Sequence, residues 1–268
     1  MNISITIDVE KDLGSVDTFY GIDEGLPLIL DVFKKNNIKA TFFISGEVAD
    51  YLEKNRYIYE IVKFNHEIAS HGYYHNDYRN YPLDKIRKEL MLSKEILNSF
   101  TKEPIIGFRA PQFRINEKII NVLKELDFKY DSSVPAPNSI SGASILRNVK
   151  ISYEEIKYFE KMGIKEFQIN SIPFIKLPHG LLWVNLIGLN FYKFLFKKLN
   201  NEDLIIFYLH PFDVMKNKRK FKYPTLIEKI FYNIKSNNSI ELFLEIINFW
   251  KSKNVKFWTI RDFLLEKF

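Results

Sequence analysis

Ile3-Ser4-Ile5-Thr6-Ile7 alternates apolar with small hydroxylated residues and stops at Asp8. This is the pattern of a half-buried strand that delivers an acid at its C-terminal end. The period then lengthens. Over 25–36, Leu26, Leu28, Ile29, Leu30, Val32 and Phe33 recur at helical spacing, with Pro27 near the first turn, where a missing N–H does no harm. Ala40-Thr41-Phe42-Phe43-Ile44 is a compact strand closed by Ser45-Gly46, and Val48, Tyr51, Leu52, Ile58, Ile61 and Val62 predict a helix over 47–64. The short run 67–70 predicts a third strand, feeding His71.

The alternation continues to the end of the chain. It predicts a helix over 83–100, a strand over 105–108 ending at Arg109, a helix over 116–126 and a strand over 128–130 ending at Asp131. Further strands are expected over 167–174, over 203–209 ending at His210, and over 255–258, with helices over 239–252 and from Ile260. Strand and helix in turn argue for a parallel sheet with crossover helices, and a closed barrel of this kind carries its chemistry at the C-terminal strand ends. Asp8, His71, Arg109, Asp131 and His210 all stand at such ends. A single α/β domain over 1–268 is expected. An insertion is expected around 132–165, rich in Pro, Asn and Ser before turning helical with Ser152 as N-cap, and a helical extension around 214–268.

Composition narrows the chemistry. With 46% hydrophobic and 16% aromatic residues in 268, the chain can bury one large core. It has no cysteine, so disulfides, thiolate metal sites and cysteine nucleophiles are excluded, and any metal must sit on His, Asp or Glu. The net charge of +6 comes from dispersed lysines without an arginine-rich block, which reads as a solvated basic surface with some affinity for anionic lipid or phosphate; no nucleic-acid partner is expected. Met1-Asn2-Ile3-Ser4 enters the first strand with no basic region and apolar core ahead of it, which implies a cytoplasmic protein. The apolar stretch 181–196 is interrupted by Asn185, Gly188, Asn190 and Lys193 and is shorter than the roughly 20 residues of a membrane span. Burial in the core is one fate for it. Peripheral contact with the inner face of a membrane, or with a lipid-linked substrate, is the other.

His71-Gly72-Tyr73-Tyr74-His75 places two of the five histidines four positions apart, so they can meet at one point whether the link is a helical turn or a tight loop. Asp8-Val9-Glu10 ends the first strand, and zinc sites that keep a position open commonly combine two histidines with one carboxylate. A metal lowers the pKa of bound water from 15.7 to about 7, and a neighbouring carboxylate can take the proton released. His210, on another strand end, can return a proton to a departing amine. Arg109 can hold Asp8 ionised, and Asp131 can orient His210. His-Gly-x-x-His lacks the glutamate of a zincin protease, and no Gly-x-Ser-x-Gly elbow is present.

Thr6-Ile7-Asp8-Val9-Glu10, His71-Gly72-Tyr73-Tyr74-His75, Phe108-Arg109-Ala110-Pro111, Tyr130-Asp131-Ser132-Ser133 and Tyr208-Leu209-His210-Pro211 resemble the five ordered motifs of the polysaccharide deacetylase (NodB-homology, carbohydrate esterase family 4-like) family. The resemblance implies a distorted (β/α) barrel of about seven parallel strands that hydrolyses N-acetyl groups of amino sugars. It implies a divalent metal, Zn2+ foremost, with Co2+ or another transition metal as the substitute. By resemblance Glu10, His71 and His75 are the metal ligands, Asp8 the base with Arg109 as its partner, and His210 the acid with Asp131 as its partner. Gln112, whose backbone N–H can serve an oxyanion, stands with Tyr74 and Trp183 as the candidate substrate contacts.

Two departures from the family pattern matter. The second acid of the first motif is Glu10, one residue beyond its usual place, so the roles of Asp8 and Glu10 can be exchanged. Gln112-Phe113 replaces the usual tyrosine. The Asp-x-Glu and His-Pro-Phe-Asp elements resemble a branch acting on exopolysaccharide or lipid-linked sugars. Two other readings use the same fold: a related C–N hydrolase (deformylase, allantoinase-like or cyclic imidase) and a non-catalytic carbohydrate-binding protein, the latter opposed by the retention of all five motifs.

Overall fold

In the computed structural model, residues 1–14, 16–135, 153–199, 204–216 and 239–268 are described. The strands are β1 (Asn2–Val9), β2 (Thr41–Ile44), β3 (Glu67–Ser70), β4 (Gly107–Phe108), β5 (Tyr130–Asp131), β6 (Lys165–Glu166), β7 (Ile205–Leu209) and β8 (Lys256–Phe257). The helices are α1 (Leu26–Asn36), α2 (Ala49–Lys54), α3 (Tyr57–Lys63), α4 (Leu83–Asn98), α5 (Glu117–Glu125), α6 (Tyr153–Met162), α7 (Leu181–Ile187), α8 (Leu189–Phe196), α9 (Ser239–Ser252) and α10 (Ile260–Lys267).

All the pairings in the sheet are parallel, in the order β6-β5-β4-β3-β2-β1-β7. β8 joins the lower end of β1 through Asn2 and Ile3, so the C-terminal segment completes the sheet. Between β6 and β7 the gap is spanned by single bridges rather than by the full strand expected over 167–174. Ile169 pairs with Pro135, Ser171 with Pro178 and Gly180 with Tyr208. Pro173 and Pro178 explain the shortfall, because neither can donate to a ladder. The result is a curled, distorted (β/α) barrel, as the motifs implied.

Other boundaries also differ from expectation. The helix over 47–64 is broken into α2 and α3 at Arg56, whose φ is 64°. The Ser152 cap, and residues 136–152 of the expected insertion, lie outside the described residues.

Alternation along the strands sorts the chain into two apolar layers. Ile3, Ile5, Ile7, Phe42, Ile44, Ile68, Phe108, Ile205, Phe207 and Leu209 pack outward under the helices. Phe43, Ala69, Tyr130, Ile206 and Tyr208 belong to the second cluster, which fills the barrel interior. Successive side chains point to opposite faces, so Ser4, Thr6 and Asp8 share the interior with that second cluster. Glu67 lies low in the interior, accepting from Thr41 Oγ1 (2.8 Å), Tyr130 Oη (2.6 Å) and the Arg261 N–H (2.9 Å). It ties β2, β3, β5 and α10 together. Gly107 has a local reason to be glycine: a Cβ there would sit 2.0 Å from the Tyr130 ring.

Candidate metal centre and active site

Each strand hands its ladder one residue past its end. His71 N–H donates to Ile44 O (3.0 Å), Arg109 N–H to Ser70 O (2.9 Å) and Ser132 N–H to Phe108 O (2.9 Å). By the same alternation His71 follows Ala69 inward, and His210 follows Tyr208. His75 arrives by a tight loop rather than a helical turn. Gly72 has φ +74°, and a Cβ on it would meet Tyr78 Oη at 2.4 Å. That hydroxyl accepts from Tyr73 N–H (3.0 Å) and donates to Tyr74 O (2.6 Å), while Ser93 of α4 donates to Gly72 O (2.9 Å). Glu47 accepts from the His75 N–H (3.2 Å) and pairs with Lys11 (3.0 Å), linking this loop to the end of β1.

Glu10 Oε2 lies 2.6 Å from His75 Nε2 and 3.3 Å from His71 Nε2. The His71 Nδ1 is 2.8 Å from Arg109 O. A carbonyl only accepts, so Nδ1 carries a hydrogen, and in the neutral ring Nε2 is the nitrogen left to coordinate a cation beside Glu10. Glu10 Oε2 is buried and has no partner in hydrogen-bond geometry, although two ring nitrogens stand beside it. Burial pushes the Glu10 carboxyl up, but His75, His71 and His210 outweigh it and hold the group far below the usual carboxylate range. An ionised carboxylate and inward imidazole nitrogens, with ligand atoms all within 4.8 Å of one another, form a set that fits one divalent cation.

Beside this set Asp8 and Arg109 meet, as expected. Arg109 is wholly buried, and all three of its guanidinium nitrogens donate. Nη1 donates to Asp8 Oδ1 (2.7 Å) and Thr6 Oγ1 (2.9 Å), Nε to Ser132 O (2.9 Å) and Nη2 to Ser132 Oγ (2.9 Å). Its carbon lies 4.1 Å from the centre of the Phe43 ring. The other Asp8 oxygen stays open toward His210, whose Nε2 is 4.0 Å from Asp8 Oδ2 and 3.9 Å from Glu10 Oε1. His210 thus faces both Asp8 and Glu10, beside the candidate ligands His71 and His75.

Asp131 does not orient His210. Tyr130 points into the interior, so Asp131 points out, where it accepts from Ser133 N–H and Ser133 Oγ, both at 2.8 Å. It lies in register with Glu166. Burial raises Asp131 to about 6, and burial together with the Asp131 charge lifts Glu166 well above its usual range, so the pair shares a proton. The group beside His210 is Asp213, one 3₁₀ turn later. Its Oδ2 accepts from the His210 N–H (2.8 Å) and lies 3.3 Å from His210 Nδ1. Burial opposes a charged ring at His210, but Asp213, Glu10 and Asp8 push it up to about 9; a cation at Glu10 would act the other way. The signal for Asp213 was its three-residue spacing from His210 across Pro211.

The three candidate substrate contacts differ. Trp183 is buried, 3% exposed, and donates Nε1 to Tyr208 Oη (2.8 Å). It supports Tyr208, whose ring packs against His210 and Phe113, instead of offering its own face. Tyr74 is exposed and sits edge-on to Tyr73. Gln112 is half-buried in the turn after Arg109-Ala110-Pro111, and both it and Phe113 have φ of 57°. Non-glycine residues hold that conformation at a cost, and such strain gathers at functional sites. His66 and His179 are buried elsewhere: His66 Nδ1 accepts from Ala40 N–H (3.1 Å), and His179 Nδ1 is 3.3 Å from Tyr192 Oη.

The sequence model of the polysaccharide deacetylase family matches residues 3–130, which include Asp8, Glu10, His71, His75 and Arg109. Residues 3–130, just under half of the chain, thus carry the sequence pattern of that family. It is 32% identical over 149 residues to chitin deacetylase 1 of Bombyx mori, covering 51% of this chain and 26% of that protein. It is 29% identical over 114 residues to the peptidoglycan deacetylase of Helicobacter pylori, covering 41% and 37%. It is 31% identical over 126 residues to a peptidoglycan-N-acetylglucosamine deacetylase of Bacillus cereus, covering 47% and 42%. The matched segment is thus between about a quarter and two-fifths of these relatives.

Solved structures extend the likeness in fold across the whole chain. The carbohydrate esterase domain of a xylanase from the hindgut metagenome of Trinervitermes trinervoides aligns with a TM-score of 0.56 at 15% identity, covering 99% of this chain and 90% of that one. A family 4 carbohydrate esterase from Streptomyces lividans aligns with a TM-score of 0.53 at 12% identity, covering 95% and 90%.

Proposed function

We propose that this chain is a member of the polysaccharide deacetylase family, a metal-dependent hydrolase that removes an N-acetyl group from an amino sugar in a glycan or lipid-linked intermediate. The observation that carries the reading is the convergence of Glu10 Oε2, His71 Nε2 and His75 Nε2 beside Asp8 and His210. The named activities of the chitin and peptidoglycan deacetylases support the choice of substrate class.

Glu10, His71 and His75 would hold the cation, with Zn2+ favoured by two imidazoles, one carboxylate and no thiolate. When bound it would supply Lewis-acid charge for an acyl oxygen and make water acidic near neutral pH. The remaining work falls to side chains of the chain itself. Arg109 engages Asp8 Oδ1 and leaves Oδ2 to take a proton from the attacking water. His210, protonated, gives a proton to the amine nitrogen as the C–N bond breaks, so acetate and a free amino sugar leave. Asp213 fixes the His210 ring.

The test is metal analysis of purified protein, followed by acetate release from N-acetylglucosamine oligomers and from lipid-linked N-acetyl sugars. Asp8→Asn should keep the metal and lose about 10²–10⁴ in kcat, the range of a general base. A near-normal rate in that variant would move the base to another residue.

A further inference from the structure

From Phe167 to Leu199 the sequence contains no Asp or Glu, yet it contains four lysines: Lys176, Lys193, Lys197 and Lys198. The same segment holds several of the most exposed aromatic rings among the described residues. Phe191 and Phe194, three residues apart on one face of α8, are 46% and 56% exposed, and Phe174, at the tip of the turn between Ser171 and Pro178, is 79% exposed. The opposite side of α8, with Tyr192, Leu195 and Phe196, is buried. The helix therefore satisfies the core with one face and still presents aromatic rings to solvent with the other. Lys197 and Lys198 follow directly after its end, both exposed, and the Lys198 ammonium lies 5.8 Å from the Phe194 ring.

Aromatic rings flanked by lysines, with no acid among them, match an anionic lipid surface. The rings enter the boundary between headgroups and acyl chains while the ammonium groups stay with the phosphates. Among the described residues no helix is long and apolar enough to cross a membrane, so attachment of this kind would be peripheral. We propose that the exposed face of α8, with Phe191 and Phe194, together with Lys197 and Lys198 just beyond its end, docks the protein on an anionic bilayer. The segment runs into the site: Gly180, just before α7, bridges to Tyr208, two residues before His210. Docking would hold the barrel next to glycans carried on lipid.

The experiment is sedimentation of the full chain with vesicles of phosphatidylcholine alone and of phosphatidylcholine with about one-third phosphatidylglycerol. The protein should sediment with the anionic vesicles, and high salt should release it. Phe191→Ser with Phe194→Ser removes two half-exposed rings and should weaken the partition by about tenfold or more. Lys197→Gln and Lys198→Gln should weaken it by about fivefold each. Neither pair belongs to the catalytic machinery, so metal content and acetate release from a soluble oligosaccharide should be unchanged. That holds the docking surface apart from the proposed reaction. Absence of binding to anionic vesicles, equal binding to neutral ones, or indifference to both pairs would overturn the proposal. So would a concentration-dependent dimer dispersed by the Phe pair, because a second copy would then cover this face.

Discussion

Replacing Arg109 with Met tests the electrostatic frame of the site directly. Met keeps much of the apolar stem that lies against Phe43 but removes the guanidinium and its four hydrogen bonds. Asp8, 2% exposed, is left in the interior without its cation. Breaking a buried pair from one side costs about 3–5 kcal/mol, mostly the penalty of an uncompensated charge. With a urea m-value of about 3 kcal/mol/M, the unfolding midpoint should fall by roughly 1–1.7 M.

The assay is equilibrium urea unfolding followed by tryptophan fluorescence, with chelator present throughout. A bound cation would otherwise compensate Asp8 and add its own linkage to the stability. The same measurement on Asp8→Asn and on the double variant closes a thermodynamic cycle. With both charges gone the remaining loss is that of neutral hydrogen bonds, about 1 kcal/mol each. The double variant should therefore lose less than the two single losses added together, with a coupling of about 2–3 kcal/mol. A loss below about 1 kcal/mol for Arg109→Met, or strict additivity in the cycle, would refute the buried-pair reasoning.

Three further outcomes follow from the same geometry. His71→Ala and His75→Ala should each lower the affinity for Zn2+ while leaving the circular dichroism of the barrel intact; retained stoichiometric metal in the double variant would break the ligand assignment. Asp213→Ala should lower kcat about 10–100-fold, the usual penalty for losing the group that orients a functional histidine, whereas Asp131→Asn should leave kcat close to normal; steady-state rates in the opposite order would restore Asp131 as the partner. His66 is held neutral by burial, and less strongly by Lys39, with its pKa lowered to about 4. The unfolded chain takes up a proton below pH 6.5 and the folded chain only below about 4, so stability is present above 6.5 and lost as pH falls through that window. The loss is about 3 kcal/mol. His66→Asn, whose Oδ1 can accept from Ala40 N–H, should show a correspondingly flatter stability profile between pH 7.5 and 4; a stability difference from the parent chain that does not vary with pH would count against this account.

The alternation of periods exposed the barrel because each strand repeats one local rule, apolar residues outward under the helices and the other set inward. The same rule carried Asp8, Glu10, His71, Arg109 and His210 to one rim, so those positions were legible before any coordinates. Asp131 failed for a reason contained in that rule. β5 is two residues long, and its interior position belongs to Tyr130, which leaves the next side chain on the outer face. A motif read as an ordered string does not show which face each letter occupies. Trp183 failed differently, since only tertiary packing decides whether a tryptophan shows its ring or lends its N–H to a neighbour such as Tyr208. Asp213 was missed because its effect is local and conformational: proline at the first position of a 3₁₀ turn brings a residue three places on back to the histidine that starts it. Strand parity and turn closure thus decide which acid serves His210, and both can be read from a sequence once the strand ends are known to within one residue.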